Sequence, residues 1–215
     1  MHKLDRTQTA EPACLAGYDH RIHTWDDVKP EDKQQIRESL ERFQDVRCAY
    51  CEGSVYDDGH IEHFRRKNQN HFPHLIFVWP NLFLSCGSMN HCGHYKDRPN
   101  ADPYNPDELV KPDEQDPDHY FYFHSSGEIR QRFGISPENQ SCASETIRVF
   151  NLNYGSLMAD RRRALRLYKQ REPGILEDLM AFDESMRQVY ITEEIHATRL
   201  QPHWTVIRHY FEKAR

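Results

Sequence analysis

No apolar run in the 215-residue sequence is longer than five residues, and that run occupies residues 75–79. A bilayer span needs roughly 20 apolar residues, so the sequence predicts no transmembrane helix. The first ten residues are polar and contain no apolar segment of the kind found in secretory signals, so we expect a cytoplasmic protein. In that reducing compartment the six cysteines are expected to bind metal or to stay buried as thiols.

The sequence also lacks the patterns of several common functional classes. It contains no internal repeat of about 20 to 50 residues, no heptad run and no glycine-rich phosphate-binding loop. Its 34 acidic side chains outnumber 28 basic ones, which gives a formal net charge of -6. That balance argues against a protein that grips nucleic acid strongly without a partner.

The patterns that are present predict an α+β protein in four parts. These parts are an N-terminal helical lead, a cysteine- and histidine-rich centre, an acidic proline-rich loop, and a hairpin followed by a helical region, at residues 1–44, 45–97, 98–118 and 119–215 respectively. Ile36, Leu40 and Phe43 form the apolar face of the first helix. Residues 55–64 predict two extended pieces around a turn, and residues 120–133 predict the hairpin.

Four of the cysteines form two close pairs. The pairs are Cys48-x2-Cys51 and Cys86-x5-Cys92, and 34 residues separate them. Two short loops that each supply two thiolates are what a tetrahedral zinc site requires. Because the second pair is longer than usual, His91 is an alternative to Cys92 as the fourth ligand, and unligated buried cysteines are a further alternative. Cys14 and Cys142 are isolated, and we expect them to be small buried residues.

Polar residues interleaved with these pairs form a candidate catalytic site. His63, Asn81 and His94 follow in that order, and Glu62 directly precedes His63. Metal-assisted hydrolysis of a phosphodiester needs a base that activates water, a divalent cation that stabilises the leaving oxygen, and groups that orient the base. A histidine suits the first role, and a carboxylate with an imidazole suits the cation. Each residue alone is ordinary, so the hypothesis depends on their occurring together.

The combined motifs resemble those of the HNH nucleases that have a ββα-metal fold and a four-cysteine zinc. Within that family they are most similar to the PtuB-type nucleases of Septu anti-phage systems and their retron-associated relatives. The resemblance covers under a quarter of the chain. It rests on Cys-Ala-Tyr-Cys-Glu at 48–52, His-Ile-Glu-His-Phe-Arg at 60–65, Trp-Pro-Asn-Leu-Phe at 79–83 and Cys-Gly-His-Tyr-Lys at 92–96. It implies a ββα-metal core stapled by zinc.

The resemblance implies a role for each matching residue. His63 would be the general base, and Asn81 would hold it in orientation. Glu62 and His94 would bind the catalytic Mg²⁺ or Mn²⁺, and the two cysteine pairs would hold structural zinc. Asn90 is an alternative to His94 as the last HNH residue. We favour His94, because the spacing from the last cysteine to the following lysine is the usual one in this family.

The resemblance also implies partners. These are a nucleic-acid substrate, a PtuA-like ABC/SMC-type ATPase and, in a retron context, a reverse transcriptase with its multicopy single-stranded DNA. The substrate would be DNA by default, with RNA, including tRNA, as the alternative. Basic residues at 65–67 would face phosphate, and the helical C-terminal region would be a candidate docking face. A second basic run, at 160–171, predicts either a phosphate or partner contact or an ordinary solvated helix face.

Two functional hypotheses follow from different classes. The first is a metal-dependent HNH endonuclease that acts as the toxic effector of an anti-phage defence complex. The second is a zinc-stabilised binding or adaptor module with an inactive HNH site. The presence of Glu62, His63, Asn81 and His94 together favours the enzyme, because a module that needs only zinc has no use for a base beside a carboxylate.

Overall fold

The computed structural model describes residues 1–68 and 70–212 and has the α+β composition that the sequence predicts. Within these ranges it contains seven α-helices and two two-stranded antiparallel sheets. The helices are α1 (Pro30–Gln44), α2 (Cys92–Lys96), α3 (Pro137–Val149), α4 (Gly155–Arg171), α5 (Ile175–Ala181), α6 (Glu184–Thr198) and α7 (Trp204–Phe211). The strands are β1 (His60–His63), β2 (Leu82–Ser85), β3 (Phe121–Phe123) and β4 (Ile129–Gln131).

Helix α1 forms where the sequence predicts it. Pro30 occupies the first turn, where its missing N–H leaves no hydrogen bond unmade, and the three predicted apolar residues are buried. The helix ends at Gln44 because Asp45 adopts the left-handed conformation, with φ 51°. The Gln44 side chain then bonds to β2: it donates to the Leu84 carbonyl at 3.1 Å and accepts the Leu84 N–H at 2.9 Å. These two hydrogen bonds fix α1 against β2.

Strands β1 and β2 pair antiparallel, with Glu62 opposite Phe83. Only the second of the two extended pieces expected within 55–64 is a strand. The chain before it closes a turn in which the Gly59 N–H donates to the Val55 carbonyl at 3.1 Å. A Cβ at Gly59 would lie 2.4 Å from Val55 Cβ, so this turn depends on glycine. The partner of β1 therefore comes from the later strand, and the sequence prediction of two local strands was wrong.

The acidic segment 98–118 has the irregular backbone expected of a loop, but it packs into the core. Val110 is fully buried, and its N–H donates to the Thr146 hydroxyl of α3 at 2.8 Å. Asp113 accepts a hydrogen bond from Arg6 Nε at 2.7 Å. The segment therefore joins the N-terminal residues to the C-terminal helices.

The C-terminal part is a hairpin followed by helices, as predicted. Tyr122 of β3 lies opposite Arg130 of β4. The break between α4 and α5 falls at Gly174, whose φ of 81° belongs to the left-handed region that favours glycine. Helix α7 packs against α4, α6 and β3. Among the helices of the described ranges, none combines the length and the apolar character that a membrane crossing requires.

Helix α4 does not present its whole basic run to solvent. Arg161 is fully buried, and its Nη1 donates to the carbonyls of Leu152 at 2.6 Å and Gly127 at 3.1 Å. Leu157 and Leu165, one turn before and after it, are buried on the same face. The other cations of the run are exposed, so the basic face of α4 consists of Arg162, Arg163, Arg166, Lys169 and Arg171.

The isolated cysteines differ from the expectation. Cys14 and Cys142 were predicted to be buried, and both are only partly buried. Each packs against the hydrophobic core from its edge. Neither belongs to the cysteine group described next.

Candidate functional site

The fold gathers four buried cysteines from three elements. Cys48 and Cys51 lie in the turn after α1, Cys86 follows β2, and Cys92 begins α2. Their sulfurs all lie within 4.8 Å of one another, and no other group of three or more possible metal ligands in the described ranges is as close. Cys51 Sγ and Cys86 Sγ are 3.8 Å apart. Two ligands of a tetrahedral zinc with bonds of about 2.3 Å would have that separation, so the group can hold a metal such as zinc.

The turn that carries the first pair is closed by hydrogen bonds from backbone N–H groups. The Cys48 N–H donates to the Gly53 carbonyl at 2.9 Å, and the Gly53 N–H donates to Cys51 Sγ at 3.4 Å. His91 stays outside the four-cysteine group, although its Nδ1 lies 3.2 Å from Cys92 Sγ. The structure thus brings together four cysteines, and not three cysteines with His91.

The carboxylate of Glu52, which directly follows Cys51, is buried and links the cysteine turn to α7. Glu52 is 1% exposed and accepts hydrogen bonds from the Thr205 N–H and hydroxyl. The Met1 amino nitrogen lies 2.8 Å from Glu52 Oε1. Burial opposes the charged form, but the Met1 ammonium and His2 hold the pKa of Glu52 well below its usual range. His203 adds a contact, with Nδ1 2.9 Å from the Cys51 carbonyl oxygen.

His63 ends β1 with a side chain that is only 1% exposed. Its Nε2 lies 2.9 Å from the Ile76 carbonyl oxygen. Because a carbonyl can only accept, Nε2 carries the proton and Nδ1 carries the lone pair. Nδ1 is 3.5 Å from Lys67 Nζ, and the Trp25 ring meets the imidazole edge-on at 4.6 Å. Burial and the Lys67 charge lower the pKa of His63 to about 3, so the imidazole is neutral at pH 7.

Asn81 bonds to the backbone around His63 and not to the imidazole itself. Its amide nitrogen donates to the carbonyls of Leu75 and Arg65, each at 3.1 Å. Its amide oxygen accepts the Arg65 N–H at 2.7 Å. Leu75 directly precedes Ile76, whose carbonyl holds the imidazole. The orienting role that the resemblance implies for Asn81 would therefore act through the backbone.

The Glu62 side chain extends from β1 and is buried against α2. Its Oε1 lies 2.8 Å from Nζ of the buried Lys96, which also donates to the His63 carbonyl at 3.0 Å. Burial would raise the pKa of Glu62, but Lys96 and His60 lower it to about 2. A Cβ at Gly93 would lie 2.5 Å from Glu62 Oε2, so α2 can approach only because residue 93 is glycine. The sequence signalled Lys96 only through its spacing from the last cysteine.

His94 contacts His60, and His60 in turn lies beside Glu62. The sequence analysis gave no role to His60. The half-buried His94 ring stacks on His60, with 3.9 Å between centroids and 14° between planes. His60 Nε2 lies 3.4 Å from Glu62 Oε2. The available signal was the two-residue spacing of His60 and Glu62, which places both on one face of a strand. Asn90, the alternative to His94, is exposed, and its carbonyl accepts from Asn151 at 2.8 Å.

The basic residues after His63 are largely occupied by the protein itself. Arg65 pairs with Asp107, and Arg66 Nε donates to Asp97 Oδ1 at 3.0 Å. Lys67 faces the imidazole. In this conformation the expected phosphate contacts of residues 65–67 would have to compete with these acidic partners.

The arrangement combines a four-thiol group with a neutral imidazole, an ionised carboxylate and two stacked histidines. The four thiols can hold a metal ion, and the neutral imidazole can accept a proton. In comparisons with known proteins, no family model matches the chain, and no curated protein matches its sequence.

Proposed function

We propose that this chain is a metal-dependent HNH-type endonuclease whose ββα-metal core lies within residues 45–97. The observation that carries the proposal is the orientation of His63. The Ile76 carbonyl accepts a hydrogen bond from the Nε2–H, which leaves Nδ1 as the proton acceptor at the end of β1, directly after Glu62. The order of β1, β2 and α2 along the chain is the one that the resemblance implies.

In the proposed reaction, His63 Nδ1 takes a proton from a water molecule. The water oxygen forms a bond to phosphorus as the bond from phosphorus to the leaving oxygen breaks. Mg²⁺ or Mn²⁺ held by Glu62 and His94 would supply positive charge to the leaving oxygen. Lys96 keeps Glu62 ionised, which a cation ligand must be. Asn81 keeps the backbone that orients His63 in place.

The four cysteines would bind a structural zinc in this proposal. They come from the turn before β1, the end of β2 and the start of α2. A zinc ion bonded to all four would fix these three places relative to one another. Because unligated thiols in such a cluster provide no equivalent constraint, much of the site's geometry would depend on the metal.

The burial of His63 supports an effector that a partner activates. A base that is 1% exposed meets a substrate water only if a covering side chain, Trp25 or Lys67, moves. Such a movement would raise the pKa of His63 towards 6.5 and make it a stronger base. We propose a PtuA-like ATPase as the activating partner in an anti-phage complex, joined in a retron setting by a reverse transcriptase and its single-stranded DNA. The net charge of -6 fits a nuclease that a partner delivers to nucleic acid.

Cleavage assays on DNA and on RNA, including tRNA, test the proposal directly. The parent and His63→Ala would be compared with Mg²⁺ or Mn²⁺, each alone and with a co-expressed ATPase of the implied type. We expect His63→Ala to lose at least about 100-fold in cleavage rate, which is the usual contribution of a general base. The exposed His119 provides a control, since His119→Ala should cleave like the parent. Equal cleavage by the parent and His63→Ala would contradict the assignment of the base.

A second candidate function is a zinc-stabilised binding or adaptor module. The observation that favours it is the same burial and low pKa of His63, which an inactive site would retain without cost. This candidate predicts no cleavage by the complex under any metal condition. It also predicts that His63→Ala binds the partner as tightly as the parent does.

A further inference from the structure

We propose that the basic face of α4 binds the phosphate backbone of double-stranded DNA, independently of base sequence. This surface lies outside residues 45–97, which hold the core of the proposed function, so the inference goes beyond that function. It assigns a role to the basic run at 160–171, for which the sequence left two interpretations open: a phosphate or partner contact, or an ordinary solvated helix face.

The first observation is the concentration of positive charge on α4. Residues 160–171 contain six basic side chains and one acidic one, whereas the whole chain has a formal net charge of -6. Arg161 is buried, and the five side chains of the basic face are exposed. The remainder of the chain is therefore strongly acidic. A polyanion that approaches the molecule is attracted to this face and repelled elsewhere.

The second observation is that these cations have few acidic partners. Arg171 meets the carboxylates of Glu172 and Glu194, and the other four cations of the face form no ion pair within the described ranges. Most arginines elsewhere in those ranges do pair with a carboxylate. They include Arg65 and Arg66, for which phosphate contacts were expected. A phosphate that binds at α4 would therefore displace almost no protein partner.

The third observation is a groove beside the face. A groove of about 540 Å³ runs between α4 and the turn that joins β3 to β4. It is lined by Ser125, Arg162, Leu165, Arg166, Lys169 and Gln170. Arg162 Nη1 donates to the Ser126 carbonyl at 2.9 Å, and Lys169 Nζ lies 4.7 Å from the centre of the Tyr210 ring. The groove thus presents cations that are held in place, with no carboxylate among its lining residues.

The spacing of these cations fits the backbone of a duplex. Arg162, Arg166 and Lys169 follow at intervals of four and three residues, so they form a row about 10 Å long on one side of the helix. One strand of DNA has a phosphate about every 3.4 Å along its axis, so about three phosphates fit this row. Surfaces for single strands stack bases on aromatic rings, but the one aromatic residue of α4, Tyr168, is buried. The face therefore suits a duplex backbone better than unpaired bases.

Binding of a fluorescently labelled DNA duplex, followed by anisotropy, tests the proposal without any cleavage. The zinc-loaded protein would be used with no added Mg²⁺ or Mn²⁺. The triple variant Arg162→Gln, Arg166→Gln, Lys169→Gln removes the row of charge. At about 50 mM salt we expect it to bind at least about 10-fold more weakly than the parent, and its plot of log affinity against log salt concentration to be shallower by about 3. Two duplexes of unrelated sequence should bind the parent equally, because phosphate contacts carry no sequence information.

Two control proteins separate charge on this face from charge in general. Arg21→Gln, Arg42→Gln, Arg199→Gln removes three exposed cations elsewhere and should bind like the parent. Arg162→Lys, Arg166→Lys keeps the charge and should bind within about 3-fold of the parent, since the salt-dependent affinity follows the charge. Thermal melting identifies any loss of fold in the triple variant, in which case Arg166→Gln alone should lower the salt slope by about 1.

Equal affinity and equal salt dependence in the parent and the triple glutamine variant would overturn the proposal, as would a parent that does not bind the duplex. Polyglutamate that displaces the duplex at an equal concentration of charge would overturn the assignment to phosphate and favour an acidic protein partner. An RNA duplex that binds more tightly than DNA of the same sequence would overturn the choice of DNA. Absence of cleavage with these binding results intact would refute the proposed function and leave the DNA-binding face standing.

Discussion

Replacing His63 by glutamine should remove much of the acid sensitivity of this fold. The pKa of His63 is about 3 in the folded protein, against an ordinary value of 6.5. Between these pH values the unfolded chain holds a proton that the folded chain does not, so stability is present above pH 6.5 and is lost as the pH falls towards 3. Glutamine can still donate to the Ile76 carbonyl, but it cannot take up a proton.

The expected size of this effect follows from the two pKa values. Their difference corresponds to a loss of about 5 kcal/mol in the free energy of unfolding once the pH is below both pKa values. Between pH 7 and pH 5 the same linkage gives a loss of about 2 kcal/mol from this one residue. Most domains unfold with only 5 to 15 kcal/mol, roughly, so the change is large enough to measure.

Urea unfolding of the parent and His63→Gln at pH 7, 6 and 5 would measure it, without added divalent cations. Other groups whose titration affects stability in this range, such as the buried His203, are common to both proteins and cancel in the comparison. The parent should lose about 2 kcal/mol more than the variant between pH 7 and pH 5. Equal losses would refute the inference that the fold holds His63 neutral.

Three further substitutions test other parts of the structure. Cys51→Ser should lose bound zinc and cooperative unfolding together, as seen by metal analysis and circular dichroism, and a well-folded variant would contradict the four-cysteine site. Gly93→Ala should destabilise the fold by about 1 to 3 kcal/mol in urea unfolding, because its Cβ would collide with Glu62, whereas Gly17→Ala has open space and should be neutral. Glu52→Gln should cost about 3 to 5 kcal/mol, because it removes a buried, multiply paired carboxylate; a melting temperature equal to that of the parent would show that these pairs contribute little.

The parts of the fold that local signals specify could be predicted from the sequence. Helix α1 has its start at Pro30 and its apolar residues at helical spacing, and the hairpin of β3 and β4 has a glycine-containing turn between aromatic and polar strands. The cysteine group also follows from spacing, because two close pairs can converge on one ion wherever the chain between them goes.

Contacts between distant residues could not be predicted in this way. Residues 55–64 contain a strand pattern. The strand that pairs with β1, however, is the fully buried β2, which lies outside those residues. Arg161 lies within a basic run, yet the packing of α4 places it inside. Lys96 acquires its contact with Glu62 only when β1 and α2 meet. Spacing along the chain carries no information about such meetings.

The bond between Glu52 and Thr205 has a consequence for how the protein is made. These residues are separated by 153 positions, yet the Thr205 N–H donates a buried hydrogen bond of 2.9 Å to the Glu52 carboxylate. Contacts over such separations form late in folding, because a long loop must close first. During synthesis the cysteine turn would leave the ribosome long before α7 exists, so until then Glu52 would have only the Met1 amino group and His2 as partners. The hydrogen bonds by which α7 supports the cysteine turn would then form only after that helix has emerged.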